Sequence, residues 1–293
     1  MSLCIYVDGK FHTKREDATV CVYDHGLLYG DGIFEGIRVY NGRVFKLDEH
    51  LTRLYESAKS IMLTIPLNAS EMRSAVVETV KRTGLKEAYI RLVVTRGVGD
   101  LGLDPRKCSK PTVIIICDQI ALYAKEKYEK GLRVVTCSTR RNRPDSLNSE
   151  IKSLNYLNNI LAKIETFRVG AEEGIMLNDS GYVSEATADN IFVVKHGRLT
   201  TPPAFMGLLE GITRNTVIDI ARGMGYKVLE MPLSINDVYA ADECFLTGTG
   251  AELIPVIESD GRQIGDGKPG PNFLRMLERY REITRTEGVS VYS

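Results

Sequence analysis

The sequence predicts an α/β protein, with a small N-terminal α+β part built on an antiparallel sheet and a larger C-terminal α/β part. Three observations carry this expectation. Short strand-like runs near the start are separated by Asp8-Gly9 and Asn41-Gly42, both hairpin-type turns. Two amphipathic helical patterns follow, and then the β-rich runs Tyr89–Thr95 and Thr112–Cys117. Beyond a charged stretch, strand and helix patterns alternate to the end of the chain. The expected division is a small domain over 1–118, a linker over 119–131 and a large domain over 132–293.

In the first part, strands are expected at 3–6, 18–23 and 35–40. Leu47 to Ile61 reads as a helix, because Leu47, Leu51, Leu54, Ala58 and Ile61 form one apolar stripe. Asp48 and Glu49 suit its positive N-terminus. Glu71 to Thr83 reads as a second helix, with Ser70 as N-cap and Gly84 as stop. Lys125, Glu126, Lys127, Glu129 and Lys130 mark the linker.

The second part should open with a strand over Leu132–Cys137. A helix follows Lys152, with Leu154, Leu157, Leu161 and Ile164 at helical spacing and Gly170 as its stop. Further strands are expected near Glu173–Leu177, Asn190–Lys195, Arg198–Thr201, Tyr226–Glu230, Glu243–Thr247 and Leu253–Ile257. Helices are expected over Thr213–Met224 and Phe273–Ile283.

Composition narrows the function. Among 293 residues, 43% are hydrophobic, 26% are charged and the formal net charge is zero, which fits a globular protein and gives no electrostatic support for nucleic acid binding. The six cysteines are scattered and form no C-x-x-C pair, so reduced thiols in a cytoplasmic protein are expected. The four histidines lack metal-ligand spacing, and no metal is expected. No secretory signal and no apolar run of membrane-spanning length is seen.

Several stretches could carry chemistry. Gly30 to Gly36 is glycine-rich, but its spacing is not that of a dinucleotide loop, and a tight turn into a strand also accounts for it. Gly211-Ile212-Thr213 precedes a helix, whose N-terminus can bind phosphate, although Thr213 could simply cap it. Thr247-Gly-Thr-Gly-Ala251 is a small-residue loop whose amides can approach an anion. Lys152 stands among Asn148, Asn155, Asn158 and Asn159.

Taken in order, Phe34-Glu-Gly-Ile-Arg38, the Lys152 segment, Ser184-Glu-Ala-Thr-Ala-Asp-Asn-Ile-Phe192, Gly211-Ile-Thr-Arg214 and Thr247-Gly-Thr-Gly-Ala-Glu-Leu253 resemble the class IV aminotransferases. These are fold type IV, D-amino acid aminotransferase-like enzymes dependent on pyridoxal 5′-phosphate. Over nearly the whole chain the resemblance is strongest to branched-chain amino acid aminotransferases. It implies reversible transfer of an amino group from L-leucine, L-isoleucine or L-valine to 2-oxoglutarate.

The resemblance also implies roles. Lys152 would be catalytic and carry the cofactor as a Schiff base. Arg53 (in His50-Leu-Thr-Arg53-Leu), Leu209, Ile212, Thr213 and Thr249 would surround the phosphate, Glu185 the pyridine nitrogen and Tyr156 the 3′-oxygen. Tyr29, Phe34, Gly36, Arg38, Tyr89 and Arg91 would line the substrate pocket, with Arg91 on the glutamate side-chain carboxylate. Thr249, Gly250 and Ala251 would hold the substrate α-carboxylate. The expected partners are amino acids and 2-oxo acids, plus a second copy of the chain in a homodimer or larger assembly. In that assembly Tyr29 and the Val98–Pro105 loop would reach the neighbour's site.

Lys152-Ser-Leu-Asn-Tyr156 is one residue shorter than the usual branched-chain pattern and resembles D-amino acid aminotransferases. That enzyme and an aminodeoxychorismate lyase are the alternatives on the same fold. A nucleotide-binding oxidoreductase and a catalytically silent binding protein are the alternatives outside it.

Overall fold

The structure is a computed structural model that describes residues 3–120 and 123–292. The chain divides into two compact units. One takes in the chain up to Ile120, together with Ile151–Asn155 and the C-terminal segment from Ile283. The other takes in the segment ending at Glu150 and Tyr156–Glu282. The expected cut was a single one. What draws 151–155 into the first unit is backbone pairing: Leu154 donates to the Gly32 carbonyl at 2.9 Å, and Phe34 donates to the Lys152 carbonyl at 2.9 Å. Residues 121 and 122 of the expected linker lie outside the described residues.

The first unit contains β1 (Cys4–Val7), β2 (Lys10–His12), α1 (His25–Tyr29), β3 (Gly32–Tyr40), β4 (Arg43–Val44), α2 (Leu47–Ser60), α3 (Ala69–Thr83), β5 (Ala88–Thr95) and β6 (Thr112–Asp118). With the C-terminal strand Val289–Ser290, they form a seven-stranded antiparallel sheet in the order Val289–Ser290, β4, β3, β5, β6, β1, β2. The strands obey the two-residue alternation. Ile33, Ile37 and Val39 of β3 and Ile90, Leu92 and Val94 of β5 are buried in a core shared with Leu47, Leu51, Leu54 and Ala58 of α2 and Met72, Val76 and Val80 of α3.

Two expectations here need correction. Residues 18–23 form no strand, despite their β-branched composition. A turn from Cys21 to Asp24 brings the Asp24 side chain to the Gly26 amide, where it caps α1. The N-cap of α3 is Asn68, not Ser70. Asn68 and Glu71 make a reciprocal capping box, which satisfies two backbone donors at once.

The second unit contains α4 (Lys125–Lys130), β7 (Leu132–Thr136), α5 (Leu157–Val169), β8 (Glu173–Leu177), β9 (Val183–Ala186), β10 (Asn190–Lys195), β11 (Arg198–Thr201), α6 (Ile212–Gly223), β12 (Lys227–Glu230), α7 (Ile235–Tyr239), β13 (Glu243–Gly248), β14 (Glu252–Ser259), β15 (Arg262–Gln263) and α8 (Pro271–Thr286). Its mixed sheet runs β12, β11, β10, β13, β14, β7, β8, β9, with β15 on β14. The pairs β11/β12, β14/β7 and β7/β8 are parallel. Leu132, Val134, Ile175, Ile191, Val193, Leu246 and Ile254 form its core. Helix α4 occupies part of the expected linker.

Helix α5 exists as predicted, but its apolar stripe does not face inward. Leu157 is 66% exposed, Leu161 48% and Ile164 46%, while Asn159, Ala162 and Thr166 are buried. Leu154 precedes the helix and belongs with the first unit. Gly174 on β8 lets this inward row approach closely. A Cβ there would collide with the Cys137 sulfur and crowd Thr166. All six cysteines are free thiols. Among the described residues, no helix is long and apolar enough to cross a membrane.

Candidate active site

In the first unit, β3 sorts its residues by face. Glu35 points with Ile33 and Ile37 toward α2, whereas Phe34, Gly36 and Arg38 share the opposite face. In register, Gly36 lies opposite Arg91 and Arg38 opposite Tyr89 on β5. A side chain at position 36 would collide with the Tyr89 hydroxyl, so glycine is what lets Tyr89 cross this face. The Arg91 guanidinium lies 4.5 Å from the centre of the Phe34 ring and 5.5 Å from that of Tyr89. Lys152 Nζ lies 4.6 Å from the same Phe34 centre. Two cations thus gather on one aromatic ring, which attracts positive charge through its electron-rich face.

Lys152 is held by its backbone. Its amide donates to Ser57 Oγ at 3.2 Å, and its carbonyl accepts from Phe34. Arg53, one turn earlier on α2, donates to both Glu35 carboxylate oxygens, at 2.7 and 2.8 Å. Its side chain is 12% exposed and is not solvated as a position off the apolar stripe might suggest. His50 Nδ1 meets Glu35 Oε2 at 2.7 Å. Burial pushes the Glu35 carboxyl up, but Arg53 and His50 outweigh it and bring it down to about 2. Burial pulls His50 below the ordinary imidazole value, which makes it a neutral donor to Glu35. Tyr29 donates to the Leu101 carbonyl at 2.5 Å, tying α1 to the loop over 98–105.

In the second unit, Glu185 sits on β9 and is 5% exposed. Arg141 Nε donates to its Oε1 at 2.7 Å, and the Leu209 amide donates to its Oε2 at 3.1 Å. Asn190 Nδ2 reaches Oε2 at 3.3 Å and the Leu209 carbonyl at 2.8 Å. Arg141 Nη1 in turn donates to Asn158 and Asn159 of α5. The asparagines around Lys152 in the sequence thus serve partly to orient the arginine that holds Glu185.

Helix α6 begins at Ile212 with Gly211 as N-cap and no side-chain cap, so Thr213 does not cap it. A side chain at Gly211 would collide with Asn190 Oδ1, which keeps this helix start close to β10. Across the sheet Asn190 pairs with Thr247 of β13, whose buried hydroxyl has no hydrogen-bond partner among the described residues. The turn of Thr249 and Gly250 follows, and Ala251 is buried with its carbonyl accepting from the Tyr128 hydroxyl at 3.0 Å. Tyr156 is the N-cap residue of α5.

The first unit therefore brings Phe34, Gly36, Arg38, Tyr89, Arg91 and Lys152 together, with Arg53 fixed on the neighbouring helix. The second brings Glu185, Leu209 and the start of α6 together through Asn190. Sequence reasoning missed Glu35, Ser57, Arg141 and the Thr247 hydroxyl. Arg141 follows Arg140 and precedes Arg143, and nothing in that run singles it out. Only its partner on β9 does.

Residues 32–258 match the model of the family described as amino-transferase class IV. The putative branched-chain-amino-acid aminotransferase of Methanocaldococcus jannaschii is 51% identical over 288 residues, covering 98% of this chain and 99% of that protein. The T.th. branched-chain amino acid aminotransferase solved with pyridoxamine 5′-phosphate has a TM-score of 0.93 at 36% identity, covering 97% of this chain and 95% of that one. The branched-chain aminotransferase of Thermoproteus uzoniensis with norvaline has a TM-score of 0.91 at 40% identity, covering 98% and 97%. The chain belongs to the class IV aminotransferase family. It is a pyridoxal 5′-phosphate-dependent transaminase of fold type IV.

The residues present fit that cofactor. The uncapped start of α6 and the unpartnered Thr247 hydroxyl are donors suited to phosphate. Within the second unit Glu185 is a buried carboxylate held by Arg141, and within the first Lys152 is an amine whose backbone is hydrogen-bonded at both amide and carbonyl.

Replacing Arg141 by methionine is expected to leave Glu185 buried without its cation. Urea unfolding of Arg141→Met should show a loss of about 3 kcal/mol or more. Arg141→Met combined with Glu185→Met should recover most of it, and a loss below about 1 kcal/mol in the single variant would mean the pair is not what holds this region.

Proposed function

We propose that the chain is a branched-chain amino acid aminotransferase, exchanging the amino group of L-leucine, L-isoleucine or L-valine with 2-oxoglutarate. The observation that carries this reading is the Phe34, Tyr89 and Arg91 cluster. The same pocket must accept an aliphatic side chain in one half-reaction and a carboxylate-bearing one in the other. Aromatic rings suit the first, and the guanidinium lying over them suits the second. The relatives carry branched-chain names over nearly the full length of this chain, which supports the reading.

The cofactor, when bound, supplies an electron sink for charge developing at the substrate Cα. The protein supplies the rest. Lys152 would hold the cofactor through its amine and would act as the positioned base that takes the proton from the substrate Cα. Glu185 would face the pyridine nitrogen and favour its protonated form, as an opposite charge does. Arg53, Thr249 and the amides of Ile212 and Thr213 would hold the phosphate, with Leu209 beside them. Tyr156 would meet the 3′-oxygen. Thr249, Gly250 and Ala251 take the substrate α-carboxylate on backbone amides. Tyr29, Phe34, Gly36, Arg38 and Tyr89 line the pocket, and Arg91 takes the side-chain carboxylate of glutamate.

The chain also acts as a homodimer in this reading. Val22 is 67% exposed, Leu27 63%, Leu101 67% and Leu103 79%, apolar side chains on the turn before α1, on α1 and on the loop over 98–105 that a second copy would cover. Sedimentation should give twice the chain mass at least, and a fully active monomer would contradict it.

Arg91→Ala should raise KM for glutamate and 2-oxoglutarate roughly 10- to 100-fold while changing that for leucine less than about threefold. Equal losses for both substrate types would remove the basis for assigning Arg91 to the carboxylate.

A further inference from the structure

The buried carboxylate of Glu35 has no place in the chemistry described above, yet it is fully withdrawn from water. It stands in β3 between Phe34 and Gly36, with Ile33 and Ile37 on its own face. A well-packed apolar residue there would avoid the desolvation of three polar groups, and such replacements of buried ion pairs are often neutral or stabilising. Stability alone is therefore a weak reason for this arrangement.

Its partners suggest a stronger one. Arg53 gives Glu35 its Nε and Nη2, the side edge of the guanidinium, and His50 gives its Nδ1. His50, Arg53 and Ser57 follow one another at helical spacing on α2, beside the apolar row that fixes this helix to the sheet. Ser57 accepts the amide of Lys152. One row of one helix thus fixes both the lysine backbone and the arginine head group, and Glu35 is what keeps the arginine from swinging.

We propose that Glu35 is a positioning residue for the cofactor phosphate: it clamps the side edge of Arg53 so that the other end of the guanidinium is presented to the phosphate at a set distance from Lys152. The proposal rests on the reading that Arg53 binds phosphate. A guanidinium held along one edge loses little freedom when an oxyanion meets its other end.

The test compares pyridoxal 5′-phosphate with pyridoxal, which lacks the phosphate. The full chain is freed of cofactor and titrated with each, following visible absorbance, and the ratio of the two dissociation constants measures what the phosphate contributes. Glu35→Gln keeps the shape of the side chain and removes its charge. It should lower the phosphate advantage by about tenfold while leaving pyridoxal binding within about twofold. Combined with Arg53→Ala, it should add nothing to the loss caused by Arg53→Ala alone. A purely structural role would weaken both ligands together and leave the ratio unchanged, which would overturn the proposal. If Arg53→Ala itself leaves the ratio unchanged, the phosphate reading of Arg53 fails instead. Should Glu35→Gln not give folded protein, His50→Gln removes one of the three clamp bonds and is read by the same ratio. A fall of about threefold supports the clamp, and an unchanged ratio overturns it.

Discussion

A carboxylate taken out of water must be met by a cation and by enough donors to fill its lone pairs, and this constraint shapes the site residues of both units. In the first unit Glu35 is met by Arg53 and His50. In the second, Glu185 is met by Arg141, Asn190 and the Leu209 amide. Each carboxylate sits on a strand, and each fixes an arginine that would otherwise be a long, mobile side chain. Each arginine network also reaches the helix that carries further site residues or their supports: α2 through His50 and Arg53, α5 through Asn158 and Asn159. Charge burial, costly for stability, here yields orientation.

The rest of the site follows from alternation along strands. Because neighbouring side chains on β3 point to opposite faces, one strand can place Glu35 in the core and Phe34, Gly36 and Arg38 on the other side. Pairing with β5 then aligns Arg91 and Tyr89 with them, and Gly36 makes the space that the Tyr89 hydroxyl fills. Lys152 joins this surface through backbone hydrogen bonds to β3 and α2, and its Nζ lies over the Phe34 ring. On β10, Asn190 does for the second unit what pairing does for the first. It links Glu185, the Leu209 segment and the start of α6.

Much of this was legible in the sequence where a local pattern decides the outcome. The apolar row of α2, the glycine stops of α3 and α5, and the strands around Tyr89, Thr112 and Asn190 needed only periodicity and turn chemistry. Patterns failed where a tertiary partner decides. Residues 18–23 have β-branched side chains, but a turn and the capping of α1 claim them. Leu157, Leu161 and Ile164 are spaced as a core stripe, yet the row that packs inward is Asn159, Ala162 and Thr166. Arg141 and Glu185 are 44 positions apart and Glu35 and Arg53 are 18 apart, so neither pair has a local signature. The site residues themselves came from motifs resembling a family, and the structure adds what holds them in place.

The central claim is that Lys152 carries the cofactor for amino-group transfer from L-amino acids. Visible absorbance of the purified chain, read before and after L-leucine and separately D-alanine, tests it most directly. A yellow absorbance band that L-leucine converts and D-alanine leaves unchanged is the expected result. No band after adding pyridoxal 5′-phosphate, or conversion by D-alanine alone, would contradict it.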